Sequence, residues 1–341
     1  MIFNLLSTTI GSLPHVDPLS AVRLVIDYSG GIPAWPQLPK RDYLESMSVQ
    51  FSEGLPNFKI DFENRRAWLD TSCDFESRIA EFYEHCINAD VEYFKIRENY
   101  AAGLYGLLNA VREHPLKDIK YLKGQIIGPV SFGLSVTDEN KRAILYHEAL
   151  PDVLVKLLSM KARWQIRLLK EVHPKVIIFI DEPYLVSVGS SFVSLDKGDI
   201  ARWLNEVIGS IHQEGAVAGV HCCGNTDWPL LLKTKIDILS FDAYNFADGL
   251  SLYPDDFEIF LKRGGVIAWG IVPTSAQVEK EKKAALKERL DRAMEPLLKK
   301  GVEKNLILQQ ALVTPSCGMG TLTEREAERC MALLGELSAG G

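Results

Sequence analysis

Val176-Ile177-Ile178-Phe179-Ile180, running into Asp181-Glu182-Pro183, decides the fold. A run of apolar, mostly β-branched residues without polar alternation reads as a strand buried on both faces. Such strands belong to parallel sheets covered by helices. The same grammar recurs along the chain. Tyr121 to Ile127 leads to Gly128-Pro129, Ala216 to Val220 to His221-Cys222-Cys223, and Ile236 to Phe241 to Asp242. Val266 to Trp269 leads to Gly270, and Leu306 to Val313 contains a strand leading to Pro315-Ser316-Cys317. Near the N-terminus, Leu6 to Ile10 leads to Gly11-Ser12-Leu13-Pro14.

Helical patterns lie between these runs: 17–28, 75–88, 102–113, a long stretch interrupted at Pro151, 196–214, 255–262, 275–300 and 324–337. Alternating strands and helices predict an α/β protein. A count of about eight strands predicts a single (β/α)8 TIM barrel spanning 1–341, with its site at the C-terminal ends of the strands. A doubly wound open sheet would gather polar residues similarly, but it usually brings a Gly-rich phosphate loop, and none is present. Residues 30–62, rich in Gly and Pro, read as an ordered insertion and not as a second domain.

Composition narrows the function. Of 341 residues 47% are hydrophobic, enough for a large core, and the net charge of −7 with no sustained basic face argues against nucleic acid. No apolar stretch approaches a membrane span, and the first residues lack the pattern of a secretory signal. A cytoplasmic location with no membrane partner is the expectation. The six cysteines (Cys73, Cys86, Cys222, Cys223, Cys317, Cys330) are sparse for this length and fit reduced thiols.

Three separated segments carry candidate metal ligands: His221-Cys222-Cys223, the Asp242 region and Pro315-Ser316-Cys317-Gly318. One imidazole, two thiolates and a carboxylate suit Zn²⁺. If the strand continues into His221, then His221 and Cys223 share a face and Cys222 packs on the other. Cysteines packed as small buried hydrophobes fit the same pattern. Asp181-Glu182 places a carboxylate at the mouth, for an ammonium, for acid/base work, or as a helix cap. Ser12 reads as an anion contact or a turn residue.

Taken in order, Thr9-Ile10-Gly11-Ser12-Leu13-Pro14, Gly128-Pro129-Val130, Ile180-Asp181-Glu182-Pro183, His221-Cys222-Cys223, Ser240-Phe241-Asp242 and Pro315-Ser316-Cys317-Gly318 resemble the C-terminal catalytic barrel of cobalamin-independent methionine synthases. Their wider relatives are the uroporphyrinogen-decarboxylase-like barrels. The resemblance covers about 121–325 and 8–14. It implies zinc held by His221, Cys223 and Cys317, with Asp242 where the family has a glutamate ligand. It implies that Asp181, the catalytic-site carboxylate, holds the amino group of homocysteine, and that Ile10 and Ser12 receive its carboxylate. Glu53 is a further amino-group candidate.

The chain departs from the family on the methyl-donor side. Gly128-Pro129-Val130-Ser131 is followed by Phe132 with no tryptophan, and Gly270-Ile271-Val272-Pro273-Thr274 lacks the family's histidine. The expectation is a zinc-dependent S-methyltransferase making methionine from homocysteine, with a methyl-corrinoid on a partner protein as donor. Transfer to another thiol such as coenzyme M, a uroporphyrinogen-type decarboxylase, and a non-catalytic zinc or corrinoid-binding module are the alternatives.

Overall fold

A computed structural model describes residues 1–338 apart from 73, 117, 191 and 192, so Cys73 lies outside the described residues. Cys86, Cys222, Cys223, Cys317 and Cys330 are free thiols. The described residues form β1 (Leu6–Ser7), β2 (Phe58–Asp61), β3 (Arg66–Leu69), β4 (Leu122–Ile127), β5 (Thr137–Asp138), β6 (Val176–Asp181), β7 (Val217–Cys222), β8 (Ile238–Phe241), β9 (Val266–Val272) and β10 (Ala311–Pro315). The main sheet is seven-stranded in the order β1-β10-β9-β8-β7-β6-β4, and every neighbouring pair is parallel. A small sheet, β2-β3-β5, holds part of 58–69.

The apolar runs become strands because both faces are covered. Ile178, Ile180, Ala218, Val220, Leu239 and Phe241 pack outward among helix residues such as Leu157 and Val207. Ile177, Phe179, Ile238, Val266, Ala268 and Leu312 pack on each other inside the curl. This period of two fixes which polar residues at the strand ends face inward.

The sheet has seven strands, not the eight expected, and among the described residues β1 and β4 do not pair. Residues 31–37 run between these two edges. On one side the Lys123 amide donates to Pro33 O (2.9 Å) and the Trp35 amide to Lys123 O (3.2 Å). On the other the Gln37 amide donates to Gly11 O (3.1 Å) and the Leu13 amide to Gln37 O (2.9 Å). Pro33 and Pro36 lack amide hydrogens, so a regular ladder cannot form. The architecture is a curled parallel half-barrel whose open flank is crossed by isolated bridges.

Some boundaries move for local reasons. Pro151 sits in the first turn of the helix Leu150–Lys170, where its missing N–H costs nothing, so it starts that helix. Leu306 lies in the short helix Lys304–Gln309, and the strand begins only at Ala311. Among the described residues no helix is long and apolar enough to cross a membrane.

Candidate metal centre

Three neighbouring strands place one layer of polar groups. Asp181 on β6 is in register with His221 on β7, and His221 with Ser240 on β8. All three follow the inward parity of Ile177, Phe179 and Ile238. The His221 Nδ1 lies 3.0 Å from Ser240 Oγ. Its Nε2 is buried and has no hydrogen-bond partner among the described residues. Cys223 follows the end of β7, and Cys317 lies two residues beyond β10. The donor atoms of His221, Cys223 and Cys317 all lie within 4.8 Å of one another.

The electrostatics of the cluster suit a cation. The adjoining Cys317 thiol and the His221 ring hold the Cys223 thiol down to about 4, whereas the same sulfur contact and burial push Cys317 up. Burial raises Asp181 to about 6 against the pull of His221 and Lys123, and its Oδ1 is buried without a hydrogen-bond partner. An imidazole with one nitrogen left without a partner, grouped with two sulfurs, is a borderline-soft donor set. It fits zinc and does not fit magnesium or calcium, which take oxygen ligands.

Neighbouring residues separate from this set. Cys222, the last residue of β7, packs in the outer core, and burial pushes its thiol up to about 12. Both Asp242 oxygens serve Asn245, accepting from its amide (2.9 Å) and its Nδ2 (2.7 Å) at the start of the helix Ala243–Phe246. Asp242 is thus not among the converging donors. Glu182, fully buried, accepts from the Val130 amide (3.0 Å), the Ser131 amide (2.8 Å) and Ser131 Oγ (2.6 Å), fastening the helix Pro129–Ser135. Of the two adjacent carboxylates, only Asp181 lines the cavity with the His221, Cys223 and Cys317 cluster.

A cavity of about 390 Å³ opens over the cluster, with Ile10, Ser12, Gln37 and Glu45 facing Asp181, Cys223 and Cys317. Ser12 Oγ accepts from the Gly320 amide (3.2 Å), and a side chain at Gly318 would collide with it. Glycine at 318 therefore lets the loop after Cys317 close on Ser12. Glu53 is absent from this wall. It pairs with Arg97 Nε (2.6 Å) and accepts from the Arg97 amide (2.8 Å). Glu45 lines the cavity instead, bound to Arg41 Nε (2.6 Å) and the Leu38 amide (2.9 Å). Sequence reading missed Glu45 because 37–56 has no periodicity. It also missed Lys123, whose signal was a lysine and a glutamine two residues apart in a buried strand. At the two donor-side departures, Phe132 is fully buried in the outer core and Thr274 Oγ1 lies 3.0 Å from Ser316 Oγ.

No known family model matches the chain, and no curated protein matches it in sequence. Among solved structures it resembles a B12-independent methionine synthase from Shewanella sp. W3-18-1 in complex with selenomethionine: TM-score 0.58, 14% identity, 99% of this chain and 97% of that one covered. A catalytic module of the pneumococcal exo-β-D-N-acetylglucosaminidase is more distant, at TM-score 0.46 and 11% identity over 98% of this chain and 85% of that one. At such identities the likeness to the synthase is one of fold.

Proposed function

We propose that this protein is a zinc-dependent S-methyltransferase that converts homocysteine to methionine, taking the methyl group from a methyl-corrinoid carried by a partner protein. The observation that carries this reading is the convergence of His221, Cys223 and Cys317 within 4.8 Å at one wall of a cavity, where the neighbouring strand supplies Asp181, whose Oδ1 has no hydrogen-bond partner among the described residues. Zinc bound there would supply Lewis acidity that keeps a thiol sulfur deprotonated near neutral pH, where a free alkyl thiol (pKa about 8.5) is mostly protonated.

The chain's own residues account for the rest. Ser240 holds the His221 ring at Nδ1, which leaves Nε2 free to serve as a ligand. Asp181 offers an anionic oxygen to the acceptor's ammonium, and the Ile10–Ser12 segment faces its carboxylate across the cavity. The acceptor sulfur forms the new S–CH3 bond while the bond from carbon to the donor breaks and leaves its electron pair on the donor. The likeness to a methionine synthase supports this assignment at the level of fold. The corrinoid donor is favoured by the lack of the family's tryptophan after Gly128-Pro129-Val130-Ser131 and of its histidine in Gly270-Ile271-Val272-Pro273-Thr274; Phe132 is fully buried and does not line the cavity.

The test is a methyl-transfer assay on zinc-loaded protein with homocysteine and either methylcobalamin or methyl-tetrahydrofolate. Methionine formed from methylcobalamin alone is expected. Methionine formed only from the folate would overturn the donor, and none from either, with zinc bound, would overturn the acceptor.

A further inference from the structure

We infer that Lys123 is a positioning residue for the acceptor pocket: from inside the curled sheet it holds the Ile10–Ser12 segment against which the acceptor's carboxylate docks. This deepens the methyltransferase reading above and rests on it.

Lys123 is fully buried in β4, with its side chain on the inner face. Its Nζ donates to Ile10 O (2.8 Å) and to Gln125 Oε1 (3.3 Å), and lies 4.3 Å from the centre of the Phe179 ring. Its backbone meanwhile holds Pro33 and Trp35. One residue therefore ties β4, the bridging segment and the chain beyond β1 together at the flank where the sheet has no ladder. Gln125 strengthens the knot by donating from Nε2 to Trp35 O (3.0 Å). Gly11, between Ile10 and Ser12, has φ +151°, and a side chain there would strike Gln125 and Gln37, so only glycine lets the segment pack this closely on the two glutamines.

A cation in this place is costly. Burying an ammonium carries a penalty of several kcal/mol, and methionine would fill a similar volume without it. Among the described residues no carboxylate lies within ion-pair distance of Nζ, so this is not an ordinary buried salt bridge. Burial lowers Lys123 from 10.5 to about 7 even though the field of Asp181 pulls it up. What the ammonium does achieve is geometric and electrostatic. It fixes the Ile10 carbonyl, which leaves Ser12 at the cavity wall, and it sets a positive charge beneath a pocket that must take a carboxylate.

The experiment compares zinc-loaded wild type with Lys123→Met and Lys123→Gln by calorimetric titration of homocysteine and of 2-mercaptoethanol, a thiol without the ammonium and carboxylate. Zinc per chain and thermal midpoint are measured alongside. The Kd for homocysteine should rise about 10–100-fold in Lys123→Met, the range expected when a hydrogen bond from a charged group is lost. The Kd for 2-mercaptoethanol and the zinc content should stay within about twofold. In turnover the loss should fall on KM and spare kcat. Unchanged homocysteine binding in Lys123→Met, or in Lys123→Gln should the methionine variant not fold, would overturn the role, as would an equal loss for both thiols. Wild-type protein that takes up zinc but binds no homocysteine would overturn the acceptor assignment and this inference together.

Discussion

Asp181 and His221 are register partners on neighbouring parallel strands, and both side chains face the inside of the curl. Adjacent strands are about 4.8 Å apart, so the carboxylate and the imidazole are separated by a span that a short carbon chain can bridge. An acceptor held by its ammonium at Asp181 would deliver a sulfur three carbons away to the His221 cluster. Homocysteine has that spacing between nitrogen and sulfur.

Substitution at the carboxylate tests this directly. Asp181→Asn should raise the KM for homocysteine about 10–100-fold, because an amide cannot offer the charge-assisted contact. Glu53→Gln should change it less than about twofold, since Glu53 is committed to Arg97 away from the cavity. Steady-state kinetics on both variants checks the pair.

Ser240→Ala removes the hydroxyl that fixes the His221 ring. Loss of such an outer partner typically lowers metal affinity about 10–100-fold. Chelator competition on purified protein should show that drop, and the unfolding midpoint should fall too, because the buried His221 Nδ1 is left without its partner.

Lys161 gives a prediction that concerns stability alone. It is fully buried in the helix Leu150–Lys170, donates to Phe94 O (3.2 Å), and burial lowers it from 10.5 to about 7. Well above pH 10.5 it is neutral in both the folded and unfolded states and costs nothing. As pH falls from about 10 to 7 the unfolded chain takes up a proton that the folded chain does not, so stability is lost, by at most about 5 kcal/mol. Lys161→Met should therefore be more stable than wild type at pH 7, and the advantage should shrink by pH 10. Urea unfolding at the two pH values reads both.

Gly128→Ala should destabilise the fold by about 1–3 kcal/mol, because a Cβ there meets the Glu182 carboxylate that holds the helix Pro129–Ser135. Denaturant midpoints check this, and Glu182→Ala in the same chain should recover part of the loss.

Strands β6 to β10 were legible because each contains an apolar run, and the period of two then assigned faces. The same parity that sends Ile178 and Ile180 outward sends Cys222 outward and brings His221 and Asp181 in. Convergence of Cys317 with Cys223 depends on β7 and β10 lying in one curled sheet, which the strand–helix alternation implied. The irregular segments were not legible. Pro33 and Pro36 keep 31–37 from joining the sheet as a strand, and the turns of 37–56 bring Glu45 to the cavity while turning Glu53 to Arg97. Asp242 was read as a ligand by position in the series, but the helix it caps claims both of its oxygens.

X-ray absorption at the zinc edge of the purified protein, before and after homocysteine is added, tests the central claim most directly. The account predicts zinc near one per chain, with two sulfur neighbours at about 2.3 Å and at least one nitrogen. Cys317→Ser should lose one of those sulfurs, and homocysteine should add one to the wild type. Protein without zinc, or zinc with only oxygen and nitrogen neighbours, would contradict it.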